Sequence, residues 1–148
     1  MQAVAARQGL RQSSGMIYRF ETEVPLRWVD IDSAGVVNNA AYLSMMEQAR
    51  YGYFSHLGLM AGHEVPFVLA EATVRWVRPG RLGMRVTVAA ATTRLGNSSF
   101  GMRYQVRAGD AVLCEAEAAL VFVGDDMKPS AIPSAFRDAI AQFEELEG

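Results

Sequence analysis

The chain has 148 residues, a formal net charge of −2 and 20% charged residues, which allows one domain with a core of its own. Its basic residues are scattered rather than gathered into a stripe, which excludes the electrostatic footprint of a nucleic-acid binder, and no apolar run reaches the roughly 18 residues of a membrane span. Cys114 is the single cysteine, so there is neither an intrachain disulfide nor a cysteine metal site, and a reducing cytoplasm is the expected compartment.

Residues 1–15 carry Arg7 and Arg11 but no apolar core, so they do not read as a secretory signal; a flexible tail is expected there, ahead of a single domain over 16–148. From Ile17 to Trp28 the alternation predicts a strand, with Pro25 marking an edge or a late start because it cannot donate to a ladder. Ser33 to Val37 is a turn, in which Gly35 permits positive φ, and Asn38 or Asn39 is expected to cap the helix that follows. That helix, from about Asn39 to Leu57, places Leu43, Met46, Ala49, Arg50, Tyr53 and Leu57 near one face. Tyr42, Met45 and Phe54 widen the apolar surface, so the helix is expected to be wrapped by other structure, and Gly58 is its stop.

Four strand-like segments follow without another helix: Phe67 to Val77, Met84 to Thr93, Phe100 to Arg107 and Ala111 to Val123. Gly, Asn and Asp between them signal a meander. In the last, Val112, Cys114, Ala116, Ala118, Leu120 and Phe122 alternate against Glu115 and Glu117, one face buried and one wet. After Pro133 an amphipathic helix from Ser134 to Leu146 presents Phe136, Ile140 and Phe143. The prediction is an α+β fold in which a five-stranded antiparallel sheet wraps a long central helix, with a second helix at the C-terminus. Such a sheet leaves an edge and much apolar surface uncovered, which predicts self-association as a dimer or a tetramer of dimers.

The chemistry gathers where the first strand meets the helix. Asp30 and Asp32 precede the turn, and a helix start lies just beyond, offering unpaired N–H groups and partial positive charge to an electron-rich oxygen. On residues alone, both carboxylates are better read as turn residues with local hydrogen bonds. The stretch D-I-D-S-A-G-V-V-N-N-A-A-Y, Asp30 to Tyr42, resembles the signature of hotdog-fold acyl-CoA thioesterases of the 4-hydroxybenzoyl-CoA thioesterase type, and the order of elements from Met16 to Val123 fits the same family.

The resemblance implies a hotdog fold and hydrolysis of an acyl-CoA, fatty or aromatic, to free acid and CoA. It implies that Asp32 acts as nucleophile on the thioester carbonyl or as general base on water, while Asp30 is structural. It aligns Asn39 with the position whose backbone N–H meets the thioester oxygen. Substrate contacts are implied for Gly35, Val36, Tyr42, Glu47, Arg78, Ser98 and Ser99. Glu47, about 80° round the helix from Asn39, is either a pocket residue or a partner of Arg50 or Arg75; Glu71, in a strand, could pair with an arginine and is read as structural rather than catalytic. Arg75, Arg78, Arg81 and Arg94 are candidates for the phosphates of CoA.

The chain departs from the family pattern in two places. Val36, Asn38 and Asn39 stand where many relatives carry His, so no imidazole is expected beside Asp32, and the Leu95 to Phe100 turn is neutral where some relatives have a basic cluster. His56 and His63 lack metal-ligand spacing, and there is no Gly-rich phosphate loop, H-E-x-x-H or G-x-S-x-G, so neither metal nor cofactor is expected. Alternatives are an acyl-carrier-protein thioesterase and a hotdog module that binds acyl thioesters or assembles partners without turnover. A hotdog dehydratase fits less well, because that chemistry resembles a different motif with a catalytic His.

Overall fold

A computed structural model describes residues 11–13, 16–62 and 65–147. His63 and most of the expected tail lie outside the described residues. In chain order the strands are β1 (Arg11–Ser13), β2 (Met16–Tyr18), β3 (Phe20–Glu23), β4 (Phe67–Trp76), β5 (Val86–Leu95), β6 (Ser99–Ala108) and β7 (Ala111–Phe122). Helix α1 (Ala41–His56) lies between β3 and β4, and α2 (Ser134–Glu144) follows β7. β3 to β7 form one antiparallel sheet in the order β3-β5-β6-β7-β4, and β1 pairs with β2 in a separate hairpin.

The sheet curls around α1 because its inner face alternates small and large apolar residues. Ala90 of β5, Met102, Tyr104 and Val106 of β6, and Cys114, Ala116, Ala118 and Leu120 of β7 are all buried there. The small residues let the helix backbone come close: a Cβ on Gly52 would stand 3.3 Å from Cζ of Phe20. The buried stripe of α1 runs through Tyr42, Met45, Met46, Ala49, Arg50, Tyr53 and Phe54. It is turned slightly from the expected face, since Leu43 is exposed. Burial among these groups pushes the Cys114 thiol up to about 12.

The first strand corrects the sequence expectation. Ile17 to Trp28 is not one strand but β2, a bend at Arg19, β3, and a 3-10 turn over Trp28–Asp30. At the bend Arg19 donates from Nη1 to the Phe143 carbonyl (2.9 Å) and from Nη2 to Glu145 (2.8 Å). Tyr18 therefore packs on Ala89 and Ala91 on the outer face, while Phe20 enters the core. Val24 still donates to the Val86 carbonyl at 3.0 Å, but Pro25 has no N–H with which to continue.

β4 forms one edge of the sheet, hydrogen-bonded on one side only, to β7. Its Val68, Leu69 and Trp76, the adjoining Val77, and Leu43 and Tyr51 of α1 are exposed. The outer face is polar, with ion pairs Arg75–Glu115 (2.9 Å) and Arg103–Glu117 (2.6 Å). Glu71 forms no ion pair among the described residues; Arg75 and Arg103 are matched to the acids of β7.

Candidate active site

Asp30 and Asp32 have opposite surroundings. Asp30 is buried, and its carboxylate accepts the Arg27 backbone N–H (2.8 Å), Nη2 (2.9 Å) and Nε (3.3 Å). The Arg27 side-chain hydrogen bond holds its carboxyl below the ordinary value, against the opposing effect of burial. Its carbonyl accepts the Asn38 N–H at 2.7 Å, so Asp30 joins the 3-10 turn to the approach to α1.

Asp32 is exposed at the base of a small hairpin closed by bridge pairing of Ile31 with Val37. Its N–H donates to the Val36 carbonyl (2.9 Å) and its own carbonyl accepts the Gly35 N–H (3.0 Å), with Gly35 at φ +79°. Oδ1 accepts the N–H groups of Ala34 (2.9 Å) and Val36 (3.4 Å), whereas Oδ2 has no hydrogen bond among the described residues. The turn thus fixes the carboxylate through one oxygen and leaves the other open.

The approach to α1 is arranged donor by donor. The Val37 N–H goes to the Gly80 carbonyl (2.8 Å), and the Asn38 N–H to Asp30. The Ala40 N–H goes to Oδ1 of Asn38 (3.0 Å), and the Ala41 N–H to the Asn38 carbonyl (2.9 Å). The Asn39 N–H has no partner among the described residues. Between Val37 and Ala41 it is the single open donor, and it stands at the positive end of a 16-residue helix. Neither asparagine caps the helix, contrary to expectation: the N-cap position is Ala40, whose methyl group cannot cap, and Asn38 instead closes a turn one step earlier through its Oδ1.

Residues distant in sequence clamp this start. Gly80, in the connection after β4, accepts from Val37 and donates to Oη of Tyr42 at 3.2 Å. A Cβ on Gly80 would meet that Oη at 2.9 Å and Cγ2 of Val37 at 3.0 Å, so only glycine allows the approach. The Tyr42 phenol is raised from its ordinary value by burial. Nε1 of Trp76 donates to the Asn39 carbonyl at 3.3 Å. A cavity of about 210 Å³ opens here, lined by Val36, Asn39, Tyr42, Trp76 and Arg78 among others. Arg81 is at the same end, bridged to Val36.

A larger cavity of about 580 Å³ lies away from Asp32, between the C-terminal half of α1 and the start of β4, lined by Glu47, Arg50, Tyr51, Met60, Phe67 and Leu69 among others. Arg50 and Leu69 also line a narrow gap with Leu43 and Met46, which leads back along α1. Arg50 is about 16 Å along the helix axis from Asn39. It is buried, its Nη1 donates to Oη of Tyr104 at 2.9 Å, and its Nη2 forms a long ion pair with the exposed Glu47 at 4.0 Å. Glu47 is therefore a cavity residue with Arg50 beside it, while Arg75 is matched to Glu115.

Ser98 and Ser99 do not converge with Asp32 within one protomer. They sit in the turn from β5 to β6, where Ser99 Oγ accepts from Arg94 (3.2 Å), at the sheet end where β4 begins; Asp32 neighbours the end where β4 finishes. Two residues that sequence reasoning did not single out, Trp76 and Gly80, shape the site instead. They act across 37 and 38 positions, for which no local pattern exists.

Known proteins resemble this chain in sequence and fold. The model of the thioesterase-like superfamily matches residues 26–140. The acyl-CoA thioester hydrolase YbgC of Escherichia coli O6:H1 is 32% identical over 133 residues, covering 85% of this chain and 96% of that protein. The chloroplastic acyl-acyl carrier protein thioesterase ATL2 of Arabidopsis thaliana is 26% identical over 145 residues, 91% of this chain and 75% of that one. Among solved structures, a thioesterase from Thermus thermophilus complexed with coenzyme A and Zn superposes with a TM-score of 0.79 at 34% identity, covering 86% of this chain and 96% of the other. The fold is the hotdog fold of these thioesterases, and the chain belongs to the thioesterase-like superfamily.

Proposed function

We propose that this protein hydrolyses acyl-CoA thioesters at Asp32 and the start of α1. The observation that carries the reading is that the short segment from Asp32 to Ala41 holds both an exposed carboxylate, open at Oδ2, and one backbone N–H, that of Asn39, without a partner between Val37 and Ala41 among the described residues. Asp32 attacks the thioester carbonyl carbon itself or takes a proton from an attacking water. Either way the carbonyl oxygen gains negative charge, which the Asn39 N–H and the helix end stabilise; losing one such donor costs about 10²–10³ in kcat. The tetrahedral adduct collapses with departure of the CoA sulfur, leaving free acid and CoA once water has been added.

The apolar walls of the cavity along α1 suit the acyl group, fatty or aromatic, and Gly35, Val36, Tyr42 and Arg78 surround the approach to it. Self-association supports the rest of the site. Antiparallel pairing of two β4 edges would cover Val68, Leu69 and Trp76 and bring the turn bearing Ser98 and Ser99 of one copy toward Asp32 of the other. A dimer or a tetramer of dimers is expected by light scattering; an active 16.2 kDa monomer would defeat it. We place the enzyme in the cytoplasm, in keeping with its single buried cysteine, and assign the catalytic domain to residues 16–148.

The test is a thiol-release screen over acyl-CoAs of varied length and ring content, with acyl-carrier-protein thioesters alongside. Turnover of carrier-protein substrates alone would select the activity named for the Arabidopsis relative. Binding without release from any substrate would select the non-catalytic module.

A further inference from the structure

A free N–H serves as an oxyanion donor only if its peptide is held in place, and at Asn39 the helix does not do this. In a regular helix the Leu43 N–H would reach the Asn39 carbonyl; here it bonds the Ala40 carbonyl at 3.2 Å. Asn39 lies in the turn before α1, exposed, with no side-chain hydrogen bond among the described residues. Its one hydrogen bond comes from the indole Nε1 of Trp76, 37 residues away at the end of β4. The preceding peptide, which carries the free N–H, is fixed on its other side, where the Asn38 carbonyl accepts from Ala41. The following peptide is held at both of its polar groups, the Ala40 N–H on Oδ1 of Asn38 (3.0 Å) and the Asn39 carbonyl under the Trp76 indole, so both peptides that meet at the Asn39 Cα are tied down.

We propose that Trp76 is a positioning residue for thioester hydrolysis: its indole N–H, bonded to the Asn39 carbonyl, sets the direction of the Asn39 N–H toward the thioester oxygen. The inference rests on the function proposed above and adds to it a residue outside the Asp30–Tyr42 motif. The indole supplies a hydrogen bond at the mouth of the site, since Trp76 is half-exposed and lines the small cavity beside Asn39. It also gives the edge strand a part in the reaction, because the residue that orients the donor belongs to β4.

Trp76→Phe keeps an aromatic ring and removes the donor. The expected result is a kcat lower by about tenfold with KM changed less than about twofold, short of the hundredfold that an ångström of misplacement costs. A second readout isolates orientation from packing. In an Asp32→Asn background, acyl-CoA binds without rapid turnover, and its carbonyl stretch, read by infrared difference spectroscopy, reports polarisation by the Asn39 N–H. Adding Trp76→Phe should move that band back toward the frequency of the free thioester. Trp76→His, which can donate from a ring N–H, should recover part of kcat. Should the Phe variant fail to fold, Trp76→Leu, which also lacks a donor, takes its place with the same expectations.

An unchanged kcat, or a lower kcat with an unmoved carbonyl band, would overturn the proposal while leaving the thioesterase reading intact. A parent protein that releases no thiol from any substrate would overturn both.

Discussion

The two ends of α1 are held by different means. At the C-terminal end Tyr53 and Phe54 enter a cluster with Phe67, Phe100, Phe122 and Phe136, with ring centroids 5.0–5.8 Å apart. At the N-terminal end the chain is exposed at Asp32, Asn38 and Asn39, and it is held by hydrogen bonds to Asp30, Gly80 and Trp76. Aromatic packing is strong and undirected, so it secures the helix without presenting a functional group. Hydrogen bonds contribute less each but specify direction, and they leave a carboxylate and a donor facing solvent. Stability and chemistry are thereby placed about one helix length apart.

The comparison breaks most visibly at the packed end. Phe100→Ala opens a cavity at the centre of the aromatic cluster and should cost about 3–5 kcal/mol in urea titration. The folded fraction should retain the parent kcat. A large loss of kcat in the folded protein would show that the two ends are not separable.

At the other end the effect should fall on rate. Asp32→Asn should lower kcat by at least about a hundredfold, equivalent to about 2.7 kcal/mol in the barrier, with the melting temperature unchanged and thioester binding intact. Asp30→Asn should do the reverse. The Arg27 hydrogen bond lowers the Asp30 pKa on folding, so its contribution is present above the usual carboxylate value of 3.8 and is lost as pH falls through the lowered folded value. The Asn variant should flatten that acid limb in stability measured against pH. If Asp30→Asn abolishes turnover while Asp32→Asn keeps it, the roles of the two acids are exchanged.

Gly80→Ala tests the clamp on the start of α1. The added Cβ would stand 2.9 Å from Oη of Tyr42, so about 1–3 kcal/mol of overpacking is expected together with a drop in kcat. A stable variant with the parent rate would show that the loop yields without disturbing α1.

The smallest effect concerns a carboxylate at the packed end. Glu144 accepts from Oη of Tyr53 and from the Thr92 N–H, both at 2.7 Å, and burial raises its pKa despite those bonds and Arg19. A raised folded pKa means that stability is greatest below the ordinary glutamate value of 4.5 and declines as pH rises through the raised value, where the native state must carry the charge. Glu144→Gln keeps an acceptor oxygen and should remove that slope. A slope unchanged in the variant would assign it to another group.

Much of this arrangement was legible before any coordinates. The long apolar helix and the four later strands follow from periodicities of 3.6 and 2, which report burial on one face whatever the partner is. Asp32 stands out only through the resemblance of D-I-D-S-A-G-V-V-N-N-A-A-Y to the thioesterase signature; the strand end and turn alone read it as a turn residue. What stayed hidden depends on contacts across the sheet. The break at Arg19 comes from α2, more than 120 positions away, and no alternation in Ile17 to Trp28 could reveal it. Trp76 and Gly80 likewise read only as the end of a strand and part of a turn, because the atoms they bond belong to the approach and first turn of α1. The buried position of Arg50 follows from the helix pattern, whereas its partner Tyr104 does not.

The burial of Cys114 decides how the enzyme can be assayed. Reagents that colour on meeting a thiolate need an exposed, ionised sulfur; this thiol is enclosed under α1 with its pKa pushed up to about 12. In the native protein it should neither titrate such a reagent nor be inactivated by it. Colour developed during turnover would then count released CoA alone, and a slow second phase appearing on heating or in denaturant would count unfolded chains in the same cuvette.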